Sequence, residues 1–93
     1  MKLFLKKFGT TLTSRQSGSE AYNAIRPLLS ALADDELIEV DFDGVVTFSP
    51  SWADEFFTPM KKEFGGRLMF KETDNPSVKA TFDLLNSIHE QQL

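Results

Sequence analysis

The sequence predicts an α/β domain whose small, mostly parallel sheet of three to four strands is built in the order β-α-β-α-β-α. Three observations carry that expectation. Short apolar runs alternate with helical-period stretches of about 15 residues, which implies right-handed βαβ crossovers and parallel pairing. Capping residues stand ahead of the helical stretches. The composition, 41% hydrophobic with nine phenylalanines and 26% charged, is that of a chain able to bury a core. At 93 residues the expectation is one domain, 1–93.

Leu3, Phe4, Leu5 and Phe8 surround the pair Lys6-Lys7 and read as a short first strand at a sheet edge, with its lysines toward water. Gly9 to Gly18 reads as a loop of Thr, Ser, Arg and Gly. Ser17 with Glu20 forms a capping-box pattern, and Tyr22, Ile25, Leu29 and Leu32 then recur at helical spacing, predicting a helix from Gly18 to about Ala33. Pro27 falls inside it, where a kink or restart is expected.

Leu37, Ile38, Val40 and Phe42 make a largely apolar run ended by Asp43-Gly44, as buried parallel strands do. Val45 and Val46 lead over the sheet edge to Ser49-Pro50-Ser51, where either serine can cap and Pro50 suits the first helical position. The second helix then carries a stripe of Ala53, Phe56, Phe57, Met60 and Phe64 and stops at Gly65-Gly66, with Pro59 a second interior proline. Arg67 to Lys71 reads as a third strand. Asp74-Asn75-Pro76 opens a third helix with Val78, Phe82, Leu85 and Ile88 on one side.

The formal net charge of −4 argues against a nucleic-acid or anionic-lipid partner, since such binding needs a surplus of Lys and Arg. The start of the chain is too short in apolar residues for a signal peptide, and no run approaches a membrane span, so a cytoplasmic location is the expectation. With no cysteine, disulfides and thiolate chemistry are absent. His89, the sole histidine, lies near the carboxyl terminus and gives Ser49 or Ser51 no base, so the chain is expected not to be an enzyme. Asp41, Asp43, Asp54 and Glu55 read as a solvated acidic rim rather than a metal site, and no cofactor is expected.

In an open α/β sheet the loops leaving the carboxyl ends of the strands share one edge, where ligands or partners meet the fold. Here that edge holds the loop with Arg15, the turn from Asp43 to Trp52, and the turn from Thr73 to Pro76. Arg15 can clamp an anion or stand as an ordinary surface arginine. Trp52, the only tryptophan, is either an exposed binding anchor or packed core.

The run VDFDGVVTFSPSWADEF, Val40 to Phe56, resembles the DUF4325 family of STAS-like domains. In that family a strand ending in an Asp-Phe-Ser-Gly-Val type run passes through a Ser-Pro-Ser or similar turn into a helix opening with an aromatic, Ala, Asp and Glu. The likeness takes in Ser14-Arg15 and Asn75 to Leu85. The wider STAS group includes anti-sigma-factor antagonists, which bind a kinase-type anti-sigma factor and are released by serine phosphorylation at the start of this helix. The resemblance implies a regulatory module docking to an ATP-binding, kinase-like protein through Arg15, Asp43, Ser49, Ser51, Trp52, Asp54 and Glu55. One departure stands out, because Pro50 occupies the place of the phosphorylated serine. Ser49 and Ser51 remain as candidate phosphosites, with capping as their other reading. The rival reading is a small-ligand or nucleotide-sensing domain using the same edge.

Overall fold

The computed structural model describes residues 1–88. Strand β1 (Lys2–Phe4) runs into a 3-10 turn at Leu5–Phe8, strand β2 (Thr11–Leu12) and helix α1 (Arg15–Ser30). Strands β3 (Ile38–Asp41) and β4 (Thr47–Phe48) lead to helix α2 (Pro50–Phe64), a 3-10 turn at Gly65–Arg67, strand β5 (Leu68–Phe70) and helix α3 (Pro76–Ile88). The α/β class and parallel pairing follow the sequence. β1, β3 and β5 form one parallel sheet in the order β1-β3-β5, with Leu3 beside Val40 and Val40 beside Phe70. β1 lies at the sheet edge, as expected, although the Lys6-Lys7 pair that suggested it falls outside the strand.

Each parallel strand puts alternate side chains on opposite faces. Leu3, Ile38, Val40 and Leu68 are buried on one face, whereas the other carries Lys2, Phe4, Glu39 and Met69, exposed or half-buried. The sheet is therefore covered on one side, and the apolar run Leu37 to Phe42 is not a strand buried on both. Glu39 and Asp41 mark the open face, and Leu37 lies outside the strand, half exposed.

Four local expectations are corrected. The first strand stops at Phe4, and Lys6 and Lys7 fall in the 3-10 turn. The stretch from Gly9 to Gly18 holds β2 and the beginning of α1. The cap of α1 is Ser14, whose Oγ accepts from the Ser17 backbone N–H at 3.0 Å, so Ser17 is inside the helix and donates to the cap. Gly18 lies against α2, where an added Cβ would come within 2.5 Å of the Trp52 carbonyl oxygen. Pro27 neither ends nor restarts α1, and α2 likewise runs on past Pro59.

α2 matches its sequence signals closely. Ser49 caps it, Pro50 takes the first position where no backbone donor is needed, and the chain leaves at Gly65. Its buried face is Trp52, Ala53, Phe56, Phe57 and Met60, all with no measurable exposure. Around them most of the aromatic rings meet edge-on or tilted, with Phe56 4.8 Å from Phe57 and Phe57 5.2 Å from Phe70, while Trp52 and Phe56 stack. Such pairs add roughly 0.5–1.5 kcal/mol each beyond their area burial. That is how so short a chain holds its core without disulfides. His89 lies outside the described residues.

Candidate functional site

The carboxyl ends of the strands carry a rim assembled from three helix starts. Both β–α crossovers from β1 and β3 pass through a second, two-stranded parallel ladder, in which Thr11 pairs with Thr47 and Leu12 with Phe48. Strands of two residues have no periodicity to read, so this ladder was not legible in advance. Ahead of it the chain turns sharply at Phe42–Val45. Asp41 Oδ1 accepts from the Asp43 N–H at 2.9 Å, Val45 N–H donates to the Phe42 carbonyl at 3.0 Å, and Gly44 takes φ +86°. A side chain at Gly44 would be strained there and would also meet Lys6 Cδ at 2.6 Å.

Ser49 ties two helix starts together. Its Oγ accepts from the Trp52 N–H at 3.3 Å and donates to the Thr13 carbonyl at 2.6 Å, just ahead of the α1 cap. Asn75 performs the same double task for α3. Its Oδ1 accepts from the Ser77 and Val78 N–H groups at 2.8 and 3.3 Å, while its Nδ2 donates to the Val45 carbonyl at 2.7 Å. Ser77 then exchanges hydrogen bonds with both backbone groups of Phe48, and Thr81 donates to the Phe48 carbonyl. Side chains of α3 thus satisfy the free edge of β4, which blunts pairing with another chain there. Sequence reasoning saw Asn75 only as a cap. Its being Asn was the available signal, since an amide carries its acceptor and its donor on separate atoms and can cap the helix with one while reaching a distant carbonyl with the other.

The structure divides the expected docking residues into two groups. Arg15, on the first turn of α1, reaches across to α2 and donates from Nη1 to Glu55 at 2.9 Å and Asp54 at 3.0 Å. Those hydrogen bonds, the one to Glu55 foremost, raise the already high pKa of the guanidinium. Asp54 also accepts from Thr58 Oγ1 at 2.7 Å. Arg15 is therefore engaged with carboxylates, which leaves the anion-clamp reading without a vacant guanidinium. Ser51 is half-buried in the first turn of α2.

Trp52 is fully buried, stacked on Phe56 at 4.7 Å, so the exposed-anchor reading gives way to the core reading. Its Nε1 has no hydrogen-bond partner among the described residues. The signal was present in the sequence: Trp52, Phe56, Met60 and Phe64 recur every four residues, which places the indole on the buried stripe.

Asp43 stands apart from this group, exposed beside the β5–α3 connection. There two contiguous depressions lie at the carboxyl ends of β3 and β5. One, of about 350 Å³, is floored by Phe42, Phe70, Val78 and Phe82. The other, of about 300 Å³, is lined by Asp41, Asp43, Glu72, Thr73 and Asp74, and both share Lys71. Lys71 Nζ reaches Asp41 at 3.5 Å and Lys79 reaches Asp74 at 3.9 Å. Among the described residues no group of three His, Cys, Asp or Glu side chains is arranged to hold a metal ion, and no helix is long and apolar enough to cross a membrane.

A parallel α/β module with helix starts gathered on one rim, entered through the Asp-Gly and Ser-Pro-Ser turns, is a STAS-like domain. A family model described as a STAS-like domain of unknown function (DUF4325) matches residues 22–78, and the chain belongs to that family. The match spans the Asp43 turn and all of α2, and it stops short of Ser14-Arg15 and of α3 beyond Val78. No curated protein and no solved structure matches the chain.

Proposed function

We propose that this STAS-like chain is a non-catalytic regulatory module, which docks to a protein partner through the rim formed by Arg15, Asp43 and the first turns of α2. The kind of partner suggested by the resemblance to anti-sigma-factor antagonists is an ATP-binding, kinase-like regulator. The observation that carries the reading is the Arg15–Asp54–Glu55 bridge. It joins exposed Arg15 to half-buried Asp54 and Glu55 across two helix starts, and preformed polar geometry of this kind gives a partner register and specificity at low ordering cost. The hydroxyl of Ser49 and the amide of Asn75 are spent on holding backbone, which leaves them poorly placed to act as nucleophile or acid.

Nucleotide sensing at the same edge has weaker support, because Arg15 is already neutralised and the neighbouring depression is lined by carboxylates that repel a triphosphate. Phosphorylation of Ser49 would remove the hydrogen bond it donates to Thr13 and loosen the junction of α1 and α2. Ser51 makes no such tie among the described residues, and is the less disruptive of the two candidate phosphosites.

The test is titration of the chain into kinase-type anti-sigma factors of its own host by calorimetry, with and without ATP. The double reversal Arg15→Glu and Asp43→Lys is expected to weaken association by about tenfold or more, since each reversal replaces an attraction by a repulsion at the contact. Trp52→Ala is unsuitable here, because it would remove core rather than surface. Unchanged affinity in the double variant, or no association with any such regulator, would overturn the reading.

A further inference from the structure

Beside the Arg15 patch, the rim continues into a groove whose two halves differ in character. At one end half-buried Phe70 and Phe82 stand over buried Phe42 and Val78, offering ring surface that the rest of the core has sealed away. The other end is acidic. Asp43, Glu72 and Asp74 line it, all exposed, and Asp83 stands at the apolar end. Counting Asp41, the groove holds five carboxylates against the two lysines Lys71 and Lys79. Both lysines already face carboxylates, Asp41 and Asp74, which leaves Asp43, Glu72 and Asp83 without a cation in ion-pair range among the described residues.

Each half is at the lower end of the roughly 300–1,000 Å³ of small-molecule clefts, and the two are contiguous, so the shape suits an extended segment better than a compact ligand. An uncompensated negative rim beside apolar rings complements a segment of opposite charge that carries an apolar side chain. Nucleic acid, anionic lipid and acidic peptides are disfavoured by the same charge. We propose that this groove docks a basic, amphipathic segment of a protein partner. An apolar side chain of that segment sits against Phe42, Phe70 and Phe82, and its Lys or Arg side chains sit against Asp43, Glu72 and Asp83. The proposal rests on reading the chain as a docking module, and it gives that module's partner a chemistry.

The experiment uses the full chain, isotopically labelled, and three short synthetic peptides: one alternating lysine and leucine, one with the same lysines but serine for leucine, and one alternating glutamate and leucine. Amide shift changes on adding the Lys/Leu peptide are expected to be confined to residues 41–43, 71–74 and 78–83. The Lys/Ser peptide should bind at least about fivefold more weakly and the Glu/Leu peptide not measurably. Reversal of two exposed carboxylates in the groove, Glu72→Lys with Asp83→Lys, should weaken the Lys/Leu peptide about tenfold or more. The control Asp34→Lys with Asp35→Lys makes the same net charge change at exposed positions ahead of β3, at the opposite end of the strand, and should leave affinity within about twofold.

Shift changes spread over the acidic surface, equal losses in the two double variants, or equal binding of the Lys/Leu and Lys/Ser peptides would each overturn the groove. Because Arg15 lies outside it, failure of the peptide with intact binding of a kinase-like partner refutes the groove alone. Failure of that partner with intact peptide binding refutes the regulatory reading alone.

Discussion

The two ends of the rim are made from the same parts, a strand end and a capped helix start, yet one is closed and the other open. Where α1 meets α2, Gly18 admits the Trp52 backbone, Arg15 binds two carboxylates, and Trp52, Phe56 and Phe57 have no exposed surface. Where β5 leads to α3, Phe70 and Phe82 stay half-buried and charged side chains border them. The difference lies in what covers the aromatic cluster. A second helix seals it on the first side, while a connection of five residues, 71–75, crosses the second. Stability is concentrated where the surface is finished, and apolar ring surface is left in reach of solvent where it is not.

The sharpest way to break this comparison is to truncate one ring on each side. Trp52→Ala is expected to cost about 3–5 kcal/mol, the range for emptying a well-packed aromatic site. Against a typical total of ~5–15 kcal/mol, that places the variant near unfolding. Phe82→Ala should cost about 2 kcal/mol, because its ring is already partly in water and leaves a smaller cavity. Chemical denaturation of both variants measures the gap. Equal losses would mean that the open side is as tightly built as the closed one. Trp52→Phe sharpens the point: it loses volume but also removes an indole N–H that is buried without a partner, so it should cost much less than Trp52→Ala.

The same contrast decides what could be read from the sequence. Each signal for α2 is local, with Ser49, Pro50, the stripe and Gly65 all within the segment they govern, and the helix falls where they place it. The start of α1 misleads because Ser17 and Glu20 form a plausible cap, whereas the serine three residues earlier, Ser14, takes that place and accepts from the Ser17 N–H itself. β2 and β4 exist only through each other. Among the candidate site residues, Arg15, Asp54 and Glu55 were placed on one edge by topology, but their mutual bridge depends on the angle between helices, which spacing does not encode. The groove was the least visible feature, since Lys71 reads as a strand end and Thr73 to Pro76 as a turn on the rim, and neither reveals the rings beneath.

A smaller effect tests how the open side is fastened. Asn75→Ala removes a helix cap and the latch to Val45 together and should cost about 2 kcal/mol, the upper part of the range for a cap alone. Asn75→Asp keeps the acceptor for Ser77 and Val78 but loses the donor to Val45, so it is expected to recover about half of that loss. Full recovery in thermal denaturation would show that the latch contributes nothing, and that the side chains fastening α3 to β4 are Ser77 and Thr81.

The smallest effect lies back on the closed side and is read through pH. Tyr22 of α1 donates to Glu63 Oε2 of α2 at 2.9 Å, and burial, then that hydrogen bond, push the phenol up to about 12 from its ordinary value of 10. The folded state thus favours the neutral hydroxyl, so its contribution is complete below about pH 10 and is lost as pH rises through about 12. Because Glu63 is exposed, solvent screening holds the contribution to about 1 kcal/mol or less. Tyr22→Phe is accordingly expected to be slightly less stable than the parent near neutral pH. The difference should shrink above about pH 10 and reverse once tyrosinate faces the Glu63 carboxylate. Tyr22 is the only tyrosine, so its ultraviolet titration reports this group directly, beside urea melts of both proteins across the alkaline range. A stability difference that stays constant through that range would mean the hydroxyl ionises equally readily folded and unfolded, and that the tie between α1 and α2 is one of packing rather than of the proton it shares.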